Sequence, residues 1–119
     1  MTRLVLVATV LVLALASNAA AGVNGAIGAN WNTPGTVAVT IVSSHSFHGD
    51  VQTQCTATAV GATNTNETQP LTGWVYNAVA HGYQINTSFD ITAAGSGAHC
   101  TISLLDGRKL LDQLQFTSV

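Results

Sequence analysis

Apolar and polar side chains alternate one by one through several segments of this chain, and that period of two is what a strand with one buried face requires. Thr36 to Val42 sets Val37, Val39 and Ile41 on one face. Val51 to Val60 sets Val51, Cys55, Ala57 and Ala59 against Gln52, Gln54, Thr56 and Thr58. Tyr83 to Thr92 opposes Tyr83, Ile85, Phe89 and Ile91 to Gln84, Asn86, Ser88 and Asp90. Ala98 to Leu104 opposes Ala98, Cys100, Ile102 and Leu104 to His99, Thr101 and Ser103. Both cysteines, Cys55 and Cys100, therefore lie on the apolar face of a strand. Two further strands are expected over Gly73 to Val79, with Trp74 and Tyr76 filling the core, and over Leu110 to Thr117. Turn signals separate the six, as in an all-β sandwich.

The last strand carries a register conflict. A two-residue hairpin at Asp106-Gly107 would oppose Cys100 to Gln113 and turn Gln113, rather than Leu114, toward the core. An odd-length loop or a bulge near Leu110-Leu111 would restore the leucine. A short helix over Lys109 to Gln115 is the competing reading, since Leu110, Leu111 and Leu114 share a helical face. The ending Phe116-Thr117-Ser118-Val119 favours a strand.

The N-terminus reads as a secretory leader: Arg3, then Leu4 to Ala16 interrupted only by Thr9, then small residues suited to cleavage after Ala21. The apolar run is shorter than the roughly 20 residues of a membrane span. The expected organisation is a signal peptide over 1–21, a Gly- and Asn-rich leader over 22–35 and a β-sandwich over 36–119. In an oxidising compartment two cysteines allow a single pairing, and a structural bridge between Cys55 and Cys100 is expected. A redox pair or metal thiolates would favour a Cys-x-x-Cys spacing that the chain lacks. Two inward sulfurs on different strands are expected to meet across the core, between two sheets.

With this bridge and with Trp74 between the two cysteines, the region from Thr36 to Val119 resembles an immunoglobulin-like domain. The family's tyrosine two residues before the second cysteine is Ala98 here, and Trp74 follows Cys55 at a longer interval than is usual for the core tryptophan. The resemblance implies a small antiparallel two-sheet sandwich. It transfers no functional residue.

Only 7% of the residues are charged, and the cations are Arg3, Arg108 and Lys109. That excludes a nucleic-acid binder, which needs clustered Lys and Arg against phosphate. His45, His48 and Asp50 form the nearest approach to a metal cluster, but zinc prefers four ligands and His81 and His99 lie in distant turns. No Gly-x-Ser-x-Gly elbow or carboxylate pair marks a hydrolase. The expected function is a secreted, non-catalytic module without cofactor, binding an extracellular glycan or protein and leaving the membrane once the leader is cleaved. A secreted inhibitor or toxin-like effector that inserts Gly61 to Pro70 into a groove is the alternative, and a metal-dependent enzyme a third. Candidate contacts are Trp31, in the Gly-rich leader, and Asn64 and Asn66, in what reads as a long mobile loop. Asn66-Glu67-Thr68 and Asn86-Thr87-Ser88 fit the glycosylation pattern at about the frequency chance supplies.

The protein recovered from medium is expected to begin near Gly22 and to gain two hydrogens on reduction. Intact mass before and after reduction checks both, and an uncleaved leader or free thiols would refute the corresponding reading.

Overall fold

The computed structural model describes residues 24–119. The expected signal peptide, 1–21, and the start at Gly22 lie outside the described residues. Among the described residues eight strands form two four-stranded antiparallel sheets: β1 (Ala26–Asn30), β2 (Thr36–Ser43), β3 (Asp50–Thr56), β4 (Thr65–Pro70), β5 (Val75–Asn77), β6 (Gly82–Asp90), β7 (His99–Asp106) and β8 (Lys109–Thr117). One sheet has the order β1-β2-β6-β5 and the other β4-β3-β7-β8. Among the described residues no helix is long and apolar enough to cross a membrane.

The alternating segments become the inner strands. Val37, Val39, Ile41, Ile85 and Phe89 of one sheet share a core with Val51, Ile102, Leu104, Leu114 and Phe116 of the other. On β3, Thr53 occupies the same face and is 1% exposed, and its Oγ1 has no hydrogen-bond partner among the described residues.

The bridge forms between Cys55 and Cys100, whose Cα atoms are 4.0 Å apart. It joins neighbours within one sheet, not the two sheets: β3 pairs with β7, and Cys55 stands directly opposite Cys100. The expected inter-sheet bridge is thereby corrected. Alternation says which face a side chain takes but not which strand lies beside it. Two sulfurs on the core face meet as readily across a ladder, where narrow pairs hold Cα atoms about 4.5 Å apart, as across a core.

Two strands appear where none was expected. Ala26–Asn30 pairs with β2, with Ala26 opposite Val42 and Asn30 opposite Ala38, so the sandwich begins inside the supposed leader. Thr65–Pro70 pairs with β3, so Gly61 to Pro70 is not one long loop. The rest of that connection is tied down as well, since the Thr63 amide donates to the Ala93 carbonyl at 2.9 Å. Conversely, β3 stops at Thr56, and Ala57 and Ala59 lie beyond it.

The last strand is a strand, and its bulge falls where the conflict required. The turn residues are Gly107 and Arg108, because Asp106 pairs with Lys109. Gly107 has φ 61°, the positive value wanted at the first position of a type II′ hairpin. Leu105 then faces Leu110 while Leu104 faces Asp112, which leaves Leu111 as the extra residue. The shift sets Cys100 opposite Phe116 and Ile102 opposite Leu114.

Both sides of the sandwich are closed by polar bonds. On one side the bulge turns Asp112 toward β1, and its Oδ2 accepts the Ile27 amide at 2.9 Å, satisfying a donor on the free edge of that strand. On the other side Gln69 of β4 reaches β6, where its Nε2 donates to the Ser88 carbonyl at 2.9 Å and its Oε1 accepts the Thr87 hydroxyl.

Replacing Thr53 by Val removes a hydroxyl that folding takes out of water without return. The substitution is expected to stabilise the protein by about 1 kcal/mol. A shifted midpoint in guanidinium unfolding checks it, and a loss of stability would mean the hydroxyl has a partner after all.

Candidate functional site

Register places four connections at one end of the sandwich. Ser43 at the end of β2 faces Tyr83, Asp50 at the start of β3 faces both Pro70 and Leu105, and Asn77 faces Gly82. Residues 44–49, 71–74, 78–81 and 107–108 therefore crowd together. The opposite end carries the connections 31–35, 57–64 and 91–98.

Close packing and hydrogen bonds hold the crowded loops in place. Gly49 passes so close to β7 that a Cβ there would collide with the Leu105 carbonyl oxygen, which restricts the position to glycine. The Gly49 carbonyl accepts the Leu71 amide at 2.8 Å, tying two loops together. Trp74 Nε1 donates to the Phe47 carbonyl at 3.0 Å, and the two rings pack with centroids 5.2 Å apart. In the β5–β6 connection Asn77 Oδ1 accepts the amides of Val79 at 3.0 Å and Ala80 at 3.2 Å, an Asx turn that folds the tip back. His81 completes that turn with φ 55°.

The turn projects apolar surface outward. Val75 is 66% exposed, Tyr76 55% and Val79 82%, all on or next to the three-residue edge strand β5. Tyr76 is not a core residue, contrary to expectation. It stands opposite Tyr83 and meets that ring edge-on, with centroids 5.3 Å apart. Trp74 is partly buried against the core. Where β5 gives out, a groove of about 540 Å³ opens, lined by Thr72, Val75, Tyr76, Asn77, Gln84 and Asn86 among others. No lining residue is charged.

The residues expected to bind are elsewhere or otherwise engaged. Trp31 is 3% exposed and stacks on Phe116 with centroids 4.8 Å apart, so it has no face to offer a ligand. Trp31 is thus a core residue, at the end of the sandwich opposite Trp74 and Tyr76. Asn64 lies at the opposite end, where its Oδ1 accepts the Ala57 amide at 2.9 Å and closes the turn between β3 and β4. Asn66 is exposed on β4, and its Oδ1 accepts Gln52 Nε2 at 3.0 Å across the ladder. His48 and Asp50 share a recess of about 300 Å³ with Leu71 and Gly107. His45 does not line it and instead contacts Ser44 Oγ at 3.2 Å through Nδ1. Among the described residues no three of His, Cys, Asp and Glu gather as a metal site. Far from this end, the hydroxyl and amide of Thr92 both donate to Asp90 Oδ1 and hold that carboxyl below its usual range.

The exposed edge escaped sequence reasoning because aromatic residues in an alternating stretch read as core. Its signal was the spacing of breakers, since Gly73 and the Asn77 to Gly82 turn leave room for only a short outer strand. Comparison with protein-family models, with curated proteins and with solved structures finds no match to this chain.

Trp74→Phe keeps the ring and deletes the bond to Phe47. Stability is expected to fall by about 1 kcal/mol, with amide exchange accelerating in residues 44–49 and unchanged in β7. Identical exchange in both proteins would show that this bond does not order the loop.

Proposed function

We propose that the protein is a secreted, non-catalytic β-sandwich module, immunoglobulin-like in its topology, that binds an extracellular ligand at the β5 end. Strand order supports the topology better than the cysteines do. If β1, β2, β6 and β5 are matched to A, B, E and D, and β4, β3, β7 and β8 to C′, C, F and G, the arrangement follows that of immunoglobulin sandwiches. The bridge then links C to F, where antibody domains link B to F. Export is supported by the apolar leader and by the bridge, which persists in oxidising compartments.

The observation that carries the binding reading is that three large apolar side chains, Val75 and Tyr76 on the edge strand β5 and Val79 in the turn after it, stay exposed among loops that packing holds in place. Binding residues concentrate on loops positioned by a rigid scaffold. In the inhibitor reading, the segment Gly61 to Pro70 would present an edge strand, Thr65–Pro70, rather than a long loop.

Labelled protein applied to extracellular-protein and glycan arrays tests the reading, with Val75→Ser/Val79→Ser beside it. The double variant is expected to lose at least about tenfold in binding while its melting temperature holds. Val60→Ser, at the opposite end, is expected to bind as the parent does. Equal loss in both variants, or signal on neither array, would remove the β5 end as a binding surface.

A further inference from the structure

We infer that the open edge of β6, which begins in the groove beside β5, pairs with an extended polypeptide segment bearing basic side chains; the inference rests on the β5 end being the binding surface and names the partner's chemistry. The opening follows from unequal neighbours. β2 pairs with β6 from Tyr83 to Asp90, whereas β5 pairs with it only from Gly82 to Gln84. Past Gln84 no strand is paired to the outer edge of β6 among the described residues. Two hydrogen bonds fix which main-chain groups point there. The Ile91 amide donates to the Gly35 carbonyl at 2.8 Å, on the β2 side, and the Ser88 carbonyl accepts Gln69 Nε2 at 2.9 Å, on the β4 side. Main-chain direction alternates along a strand, so Asn86, Ser88 and Asp90 turn amide and carbonyl outward. That row is about 13 Å long, and its first rung, Asn86, lines the groove. An extended main chain presents donors and acceptors at the matching spacing, and strand addition uses them.

The other edges are blunted. On β1 the Ile27 amide is taken by Asp112, and β8 packs beside that strand. β4 ends at Pro70, which has no amide to offer. On β6 the only cap is Gln69, whose carboxamide gives Ser88 the donor that a neighbouring strand's amide would give. A carbonyl oxygen has two lone pairs, so a strand amide can join that bond without displacing it.

Charge selects the partner's side chains. Thr65, Glu67 and Gln69 stand opposite Cys55, Thr53 and Val51, all buried, so the three point to the inner side of their sheet. Past β5 the facing sheet has no strand to cover them, and Glu67 is exposed. Gln69 Nε2, which holds the edge of β6, also donates to Glu67 Oε2 at 3.2 Å. A strand added to β6 lies over this carboxylate, and every second side chain of that strand is directed toward it. On the outer face the neighbour is Asp90, exposed at the end of β6. The cations among the described residues, Arg108 and Lys109, sit in the β7–β8 hairpin, at the opposite edge of the other sheet. Lys or Arg on an extended partner therefore meets a carboxylate on either face of the strand, with no cation of this chain beside it.

The test is titration of the ¹⁵N-labelled full mature protein with capped octapeptides in which lysine alternates with valine, threonine or tyrosine, and with the glutamate counterpart of each. At least one lysine peptide is expected to shift the main-chain amides of Asn86, Ser88 and Asp90 and to slow their exchange at least about tenfold, and no glutamate peptide is expected to do so. Methylating every backbone nitrogen of that peptide keeps its charge, removes its ladder donors and is expected to abolish binding. Glu67→Gln is expected to weaken binding roughly threefold, as loss of one exposed ion pair does. Ser88→Pro, at an outward amide where an edge tolerates proline, is expected to abolish it with the melt unchanged. Equal binding of lysine and glutamate peptides, survival of binding by the methylated peptide, or shifts confined to Asn66 and Thr68 on β4 overturn the inference. So does a dimer in sedimentation that protects the same three amides, because the edge would then pair with a second copy. If no peptide binds while a partner on the arrays still depends on Val75 and Val79, the strand assignment fails and the binding end stands; silence from every peptide and both arrays removes both.

Discussion

The pairing of β3 with β7, sealed by Cys55 and Cys100, is the constraint on which the other strands are arranged. These are the two central strands of their sheet, and the bridge fixes their register at one rung. β4 adds to one side and β8 to the other. With that sheet set, the inward row of Val51, Cys55, Cys100, Ile102 and Leu104 offers a continuous apolar floor. The second sheet lays Val37, Val39, Ile41 and Phe89 over it, and Trp31 closes the far end on Phe116. On the chain-entropy account a covalent loop of this size, with a sequence separation of 45, stabilises the fold by roughly 4 kcal/mol. A domain this small has a net stability of about 5 to 15 kcal/mol, so the bridge is a large part of it.

What was legible in the residues follows from which strands have one wet face. β2, β3, β6 and β7 do, and their alternation declared both their existence and their inward rows. The bulge at Leu111 was legible for a related reason: a polar residue would otherwise have faced the core opposite Cys100, so the register had to slip. β4 was hidden because an edge strand of Thr, Asn, Glu and Gln leaves both faces largely in water, and no period appears in what is polar throughout. β1 was hidden for the opposite reason, since Ile27, Gly28 and Ala29 are buried in succession. Pairing between strands distant in sequence was not legible, and for this reason the bridge between Cys55 and Cys100 was expected across the two sheets and not within one.

The candidate site was harder to read than the fold, because exposure is decided by what a strand lacks. Tyr76 and Val75 carry the composition of a core strand, and only the early departure of the chain at Gly73 uncovers them. Trp31 carries the composition of a loose surface residue, and only its stacking on Phe116 buries it. Neither contact is local in sequence. Asn64 and Asn66, read as candidate ligand contacts, close a turn and a ladder in the structure, which is what short polar side chains near a tight connection commonly do.

The bridge encloses β4, β5 and β6, along with the exposed tip at 78–81, while β1, β2 and β8 lie outside its loop. A protease that cuts the tip therefore yields two pieces that sulfur still holds together. Each piece keeps strands of both sheets, so the apolar floor and its cover are not parted by the cut. In an environment rich in proteases, nicking at the most accessible connection would leave one covalent molecule, and release of the pieces would require reduction as well as cleavage.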